Sequence, residues 1–155
     1  MKKKLIILTG PTAVGKTDLS IRLARTVGGE IISADSMQVY RRMDIGTAKI
    51  RPEEMDGVRH HLIDILEPTE SFNAFLFKEY ALKAANEIWE RGSIPIIVGG
   101  TGFYIQTLLY DIEFAKSDEN DGIRDELNKL YEEHGAAFLH DMLAKVDPEL
   151  SLIHI

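Results

Sequence analysis

Three groups of residues in this sequence could do chemistry. The first is Gly10-Pro11-Thr12-Ala13-Val14-Gly15-Lys16-Thr17, which matches G-x-x-x-x-G-K-[ST] at every fixed position. Glycines in such a loop let backbone N–H groups turn inward and form an anion-binding nest. A helix beginning there adds its positive end. Lys16 brings a full charge to a terminal phosphate, and Thr17 is placed to ligate Mg²⁺. The segment predicts binding of a di- or triphosphate. It does not say which bond is made or broken.

The second group is "SADSMQVYRRMDIGTAKI", residues 33–50. Asp35 falls at the end of an apolar run and has three readings from spacing alone: a Mg²⁺ partner, a general base or a helix cap. Gln38 can read an adenine edge in a bidentate way, and Arg41 and Arg42 suit phosphates. With Lys49, Arg51 and Arg59 they form a basic cluster, which a solvated face would explain equally well. The third group is "GGTGFY", Gly99 to Tyr104, whose glycines permit close backbone approach to a ligand or simply begin a helix. His60 and His61 are adjacent, so on a strand they point to opposite faces, one to the core and one to the surface. No third ligand at suitable spacing supports a metal role for them.

These groups need elements to position them. "KLIILTG" reads as a buried strand, followed by a helix from about Lys16 to Thr26 with Leu19, Leu23 and Ala24 on one side. Gly28 and Gly29 stop that helix. "EIISAD" is a second buried strand, "HHLIDIL" a weaker candidate, and "IPIIVGG" a third clear one. A long helix from about Asn73 to Arg91 is expected, capped by Ser71 and ended by Gly92. Its buried stripe would be Phe75, Leu76, Tyr80, Ala84, Ile88 and Trp89. "FYIQTLLY" reads as a helix. Strands that alternate with helices and are apolar throughout predict an α/β fold. With the phosphate loop, this is a P-loop NTPase-like, mostly parallel sheet flanked by helices. Composition shifts near Asp111, after a core of residues 1–111. Then come a turn-rich link, "SDENDG", and two charged helices near Ile123–Glu133 and Ala136–Lys145.

Bulk composition bounds the function. The chain has 155 residues, 45% of them hydrophobic, enough for one compact core. It has no cysteine, which excludes disulfides and thiolate metal sites and suits a reducing compartment. The apolar run at Leu5 to Leu8 is too short for a signal peptide, and no stretch approaches the ~20 residues that span a bilayer. A cytoplasmic protein with no membrane partner is expected. The net charge of -7 is uneven: residues 1–110 hold 14 Lys/Arg and 13 Asp/Glu, whereas residues 111–155 hold 4 and 12. An acidic tail argues against a simple nucleic-acid-binding surface.

Taken together, "GPTAVGKT", "DSMQVYRRMDIGTAK", "GVRHHLIDILEP", "SFNAFLFKEYA" and "PIIVGGTGFYIQTLL" closely resemble the bacterial tRNA dimethylallyltransferases, or tRNA isopentenyltransferases. The blocks follow the family's order over residues 4–110, and residues 112–149 resemble the start of its helical tRNA-binding insertion. The resemblance implies that the loop, Gly10 to Thr17, holds the diphosphate of dimethylallyl diphosphate with Mg²⁺ on Thr17. It implies transfer of the dimethylallyl group to N6 of the adenine 3′ of the anticodon. Asp35 matches the general base, and Lys16 and Thr12 act on the leaving diphosphate. Asp35, Ser36, Met37, Gln38, Thr101 and Arg124 would touch the tRNA anticodon loop. A monomer is expected.

The family's chains continue well past this point, into a basic part that grips the anticodon stem. The match ends after Glu149, and residues 150–155, "LSLIHI", are expected to be a non-native tail of a truncated reading frame. A truncated chain is expected to modify tRNA weakly, because phosphate contacts dominate nucleic-acid affinity. Three other readings remain. An adenylate isopentenyltransferase shares the fold and reaction but needs no tRNA grip. A small-metabolite kinase would use the loop for ATP and close an arginine lid over it. A non-catalytic nucleotide-dependent module would not need Asp35.

Overall fold

The computed structural model describes residues 3–112 and 122–153. The chain forms two compact units, residues 1–114 and 115–155. The first is a four-stranded, fully parallel sheet flanked by helices, in the order β1-β4-β2-β3. Its strands are β1 (Ile6–Thr9), β2 (Gly29–Ser33), β3 (His60–His61) and β4 (Ile94–Gly99). Its helices are α1 (Lys16–Val27), α2 (Ala74–Glu90) and α3 (Gly102–Leu109), with a 3₁₀ turn at Pro52–Met55.

Successive residues of each strand serve opposite faces, and each face has its own core. Ile31 and Ile96 face α1 and pack with Ile21, Ala24, Ile50 and Val58. Ile32 and Ile97 face α2 and α3 and pack with Phe77, Ala81, Ala85, Ile88 and Ile105. That arrangement explains why the strands are apolar throughout rather than alternating. β1 is less buried than its sequence predicts. It pairs with β4 on one side only, so its first three residues are half-buried.

The long helix differs from expectation in two respects. Its N-cap is Asn73, not Ser71: the Asn73 side chain accepts a hydrogen bond from Leu76 N at 2.9 Å. Its buried face is Ala74, Phe77, Ala81, Ala84, Ala85 and Ile88. Ala84 and Ile88 are buried as expected, but Phe75 and Tyr80 of the expected stripe are 43% and 36% exposed. Four alanines pack α2 against the sheet around one fully buried ring, Phe77, while Phe75 and Tyr80 stand outside the buried face. Helix α1 keeps Ala24 in its expected buried place but departs at Leu19. Leu19 is exposed, while Ser20, Ile21 and Ala24 are buried. Burial of Ser20 is tolerated because its hydroxyl donates to Thr17 O at 2.7 Å.

"HHLIDIL" forms only a two-residue strand, because Leu62 and Asp64 adopt positive φ of 63° and 54° and turn the chain. His60 and His61 do lie on opposite faces, but both are half-buried. Neither is a surface residue. Gly28 and Gly92, both left-handed, follow the ends of α1 and α2 as expected.

The second unit holds α4 (Ile123–Val146) and α5 (Pro148–Ile153). Gly135, at φ 79° and ψ 176°, breaks α4 into the two helices that the sequence predicts. Ser151 is buried beside His140, whose Nε2 lies 3.0 Å from the Ser151 hydroxyl. The link 117–122, apart from Gly122, and residues 154–155 lie outside the described residues.

Candidate active site

The C-terminal ends of β1, β2 and β4 converge on one edge of the sheet, where open α/β folds bind ligands. A cavity of about 560 Å³ opens there. The phosphate loop forms one wall: Gly10 to Ala13 and Gly15 to Thr17 line the cavity, whereas Val14 points away and is 60% exposed. The loop's turn needs left-handed backbone at Ala13 (φ 64°) and at Gly15 (φ 82°), the N-cap of α1. Gly15 offers α1 no side-chain cap, so the amides of its first turn are available to an anion. The Lys16 ammonium folds back to donate to Pro11 O. Thr17 is exposed to the cavity, and its hydroxyl makes no hydrogen bond among the described residues.

The loop after β2 forms the opposite wall. Asp35 Oδ1 accepts hydrogen bonds from the backbone N–H groups of Met37 (2.8 Å) and Gln38 (3.2 Å). This is a capping geometry, although a turn follows it and not a helix. It leaves Oδ2 without a partner among the described residues. Asp35 and Gln38 both line the cavity. Of their neighbours, Ser36 and Met37 do not, and Met37 is 41% exposed. The third wall is Gly99, Gly100 and Thr101. Gly99 is there because nothing larger fits. A Cβ at that position would stand 2.2 Å from Ala34 O, the backbone leading to Asp35. Thr101 is the N-cap of α3, so the helix-start reading of "GGTG" holds, and the close approach seen at Gly99 is to the Ala34 backbone. Arg124 belongs to the second unit, exposed on the first turn of α4.

The cavity has a floor that sequence reasoning missed. Ile31, Ile50, Ile63 and Val98 make it apolar, and His60 adds one polar edge. His60 Nδ1 sits 2.9 Å from Val58 O, which can only accept, so the proton is on Nδ1 and Nε2 is an acceptor. Burial lowers the His60 pKa, and His61 adds to that against the raising effect of Val58 O. The ring is therefore neutral at pH 7. Tyr104, stacked on Phe77 at 4.7 Å, has its phenol pushed up by burial and then by Tyr40 and Asp35. The floor depends on the parallel register that sets His60 beside Ile31, which no local signal in the sequence specifies. Nor is the basic cluster a uniformly solvated face. Arg41 and Arg42 pair with Glu67, and the Lys49 side chain is only 4% exposed.

Fold and site define a class: a parallel α/β protein with a G-x-x-x-x-G-K-[ST] loop at the C-terminal edge of its sheet. Within that class the chain belongs to the IPP transferase family, whose model matches residues 38–154. It is 61% identical over 144 residues to the tRNA dimethylallyltransferase of Lachnoclostridium phytofermentans, covering 93% of this chain and 46% of that one. It is 55% identical over 152 residues to that of Staphylococcus carnosus, covering 96% and 48%. Among solved structures, the full-length tRNA isopentenylpyrophosphate transferase of Bacillus halodurans matches with a TM-score of 0.73 at 49% identity. That match covers 98% of this chain and 50% of the other. A eukaryotic dimethylallyltransferase solved in action on tRNA matches with a TM-score of 0.84 at 37% identity, covering 97% and 37%. The chain thus spans about half the length of the curated relatives it matches. Among the described residues no helix is long and apolar enough to cross a membrane.

Proposed function

We propose that this chain carries the catalytic core of a tRNA dimethylallyltransferase. The dimethylallyl group would move from dimethylallyl diphosphate to N6 of the adenine 3′ of the anticodon. The observation that carries this reading is the shared cavity. The Gly10–Thr17 loop and Asp35, with its Oδ2 open, line the same 560 Å³ space, and the Gln38 amide lies beside them.

The chemistry follows from that placement. Adenine N6 is a poor nucleophile. As it attacks the allylic carbon, Asp35 takes the amine proton, the C–O bond to diphosphate breaks, and both electrons of that bond leave with the diphosphate. Negative charge then gathers on the leaving group, facing the loop amides, Lys16 and Thr12. Thr17 would supply the protein ligand for Mg²⁺. A hydroxyl facing the cavity, without a cluster of acidic or histidine ligands among the described residues, fits an ion held largely by phosphate oxygens. When bound, Mg²⁺ would neutralise charge on the diphosphate. The target base must leave its stack to enter the cavity. Ser36, Met37 and Thr101 would add contacts to the anticodon loop, and the resemblance carries over Arg124 as a further tRNA contact. The setting proposed is the cytoplasm, with the chain a monomer.

Calorimetric titration of the purified chain with Mg²⁺ and either dimethylallyl diphosphate or ATP tests the reading. Preference for the prenyl diphosphate is the expected result. Preference for ATP accompanied by phosphoryl transfer would replace it with a kinase and make Asp35 a metal partner. Transfer to free adenosine monophosphate in place of an anticodon stem-loop would identify an adenylate isopentenyltransferase.

A further inference from the structure

The Lys49 side chain does not line the cavity, yet it is among the most constrained cations in the first unit. It is 4% exposed, and its ammonium donates to Tyr40 O at 2.7 Å, Asp44 Oδ1 at 2.8 Å and Asp64 Oδ1 at 2.6 Å. An ammonium has three N–H groups, so all are used and none is left for a ligand. Its partners lie on two separate segments, residues 40–44 and Asp64. Three non-glycine residues at this junction hold left-handed backbone: Arg42 at φ 63°, Ala48 at φ 49° and Asp64 at φ 54°. Such strain persists only where surrounding contacts over-determine the conformation.

The strained residue Ala48 is the one that touches the cavity's amide. Its carbonyl accepts from Gln38 Nε2 at 3.2 Å. A carbonyl can only accept, so the Gln38 nitrogen must face Ala48 and the oxygen must face away. That oxygen meets the Ser33 hydroxyl at 3.2 Å. One N–H and one lone pair of the amide remain, the pair that a bidentate contact to adenine N6 and N7 requires. If the Ala48 carbonyl moved, the amide would lose the contact that fixes its orientation.

We infer that Lys49 is a positioning residue for base recognition: it locks the 40–49 loop so that Gln38 presents one fixed donor–acceptor edge to the acceptor base. The inference rests on the transferase reading, and it separates the acceptor side of the cavity from the diphosphate side. Lys49→Met removes the clamp and keeps much of the volume. Asp64→Asn, at a side chain 49% exposed, weakens the clamp while keeping an acceptor and a folded chain.

The test measures the affinities of wild type and both variants for Mg²⁺–diphosphate and for two RNA hairpins. The hairpins carry adenine or guanine at the target position. Hydrogen exchange is followed over residues 40–49. Lys49→Met should cut the adenine-over-guanine preference about 10-fold, within the range of one bidentate base contact. Exchange in the loop should accelerate, and diphosphate affinity should stay within about twofold. Asp64→Asn should shift the preference the same way by less. A preference retained by both variants, or a parallel fall in diphosphate affinity, overturns the role of Lys49 alone. A wild-type chain that binds diphosphate but does not prefer adenine overturns the transferase reading, and this inference with it.

Discussion

At the scale of single residues, Asp35 divides its labour between its two oxygens. Oδ1 is committed to the backbone of Met37 and Gln38 and shapes the turn. Oδ2 is the oxygen that can take a proton. Asp35→Asn separates these roles, because an amide oxygen can still accept both backbone hydrogen bonds but cannot act as a base. The expected outcome is a transfer rate reduced by about 10² to 10⁴ in single-turnover assays, the usual worth of a general base. Diphosphate affinity by calorimetry should change by less than about threefold. Equal losses in both would mean that Asp35 holds the loop and does no chemistry. The residue types at this site were legible in the sequence because phosphate binding demands a fixed spacing within one loop. The capping geometry of Asp35 was one of three open readings, and only the coordinates show that it coexists with an open oxygen.

At the scale of elements, local signals located the helices and strands well and oriented them less well. Gly28 and Gly92 punctuate α1 and α2 where positive φ is needed, which is a property of single residues. The inward face of α2 matches the expected stripe at Ala84 and Ile88 but not at Phe75 and Tyr80, which are exposed. The alanines won, since close approach to a sheet favours small side chains. Its cap was misassigned to Ser71 for a related reason: Ser and Asn cap equally well in sequence, and only the backbone decides which one turns. Asn73→Ala should therefore cost about 1 kcal/mol in denaturant unfolding, and Ser71→Ala close to nothing. Reversed magnitudes would restore Ser71 as the cap.

At the scale of the whole molecule, Glu30 joins three elements of the first unit. Its carboxylate receives Arg91 Nε at 2.9 Å and Arg91 Nη2 at 2.8 Å, from the end of α2, and His61 Nε2 at 2.8 Å, from β3. The Arg91 hydrogen bonds hold its pKa below the ordinary 4.5, against the opposing effect of burial and with the help of His61. A depressed carboxylate pKa contributes stability above the unfolded value, and that stability is lost as the pH falls through the folded value. Glu30→Gln should cost about 1–3 kcal/mol at pH 7. The deficit relative to wild type should shrink as the pH falls below about 4.5. Urea unfolding at several pH values checks this, and a pH-independent deficit would assign the effect to packing.

What the sequence by itself determined is what a short stretch of chain can encode. It contains the phosphate-loop pattern, the strand and helix types and the stop signals. All of these depend on neighbours within a few residues. Only the tertiary structure decided which residues share one cavity. Thr17 and Gln38 line it together because β1 and β2 run parallel with β4 between them, a pairing that no local signal specifies. The same holds for the apolar floor, for neutral His60 and for the Lys49 clamp. Each depends on contacts between residues distant in sequence, where register and burial set the chemistry.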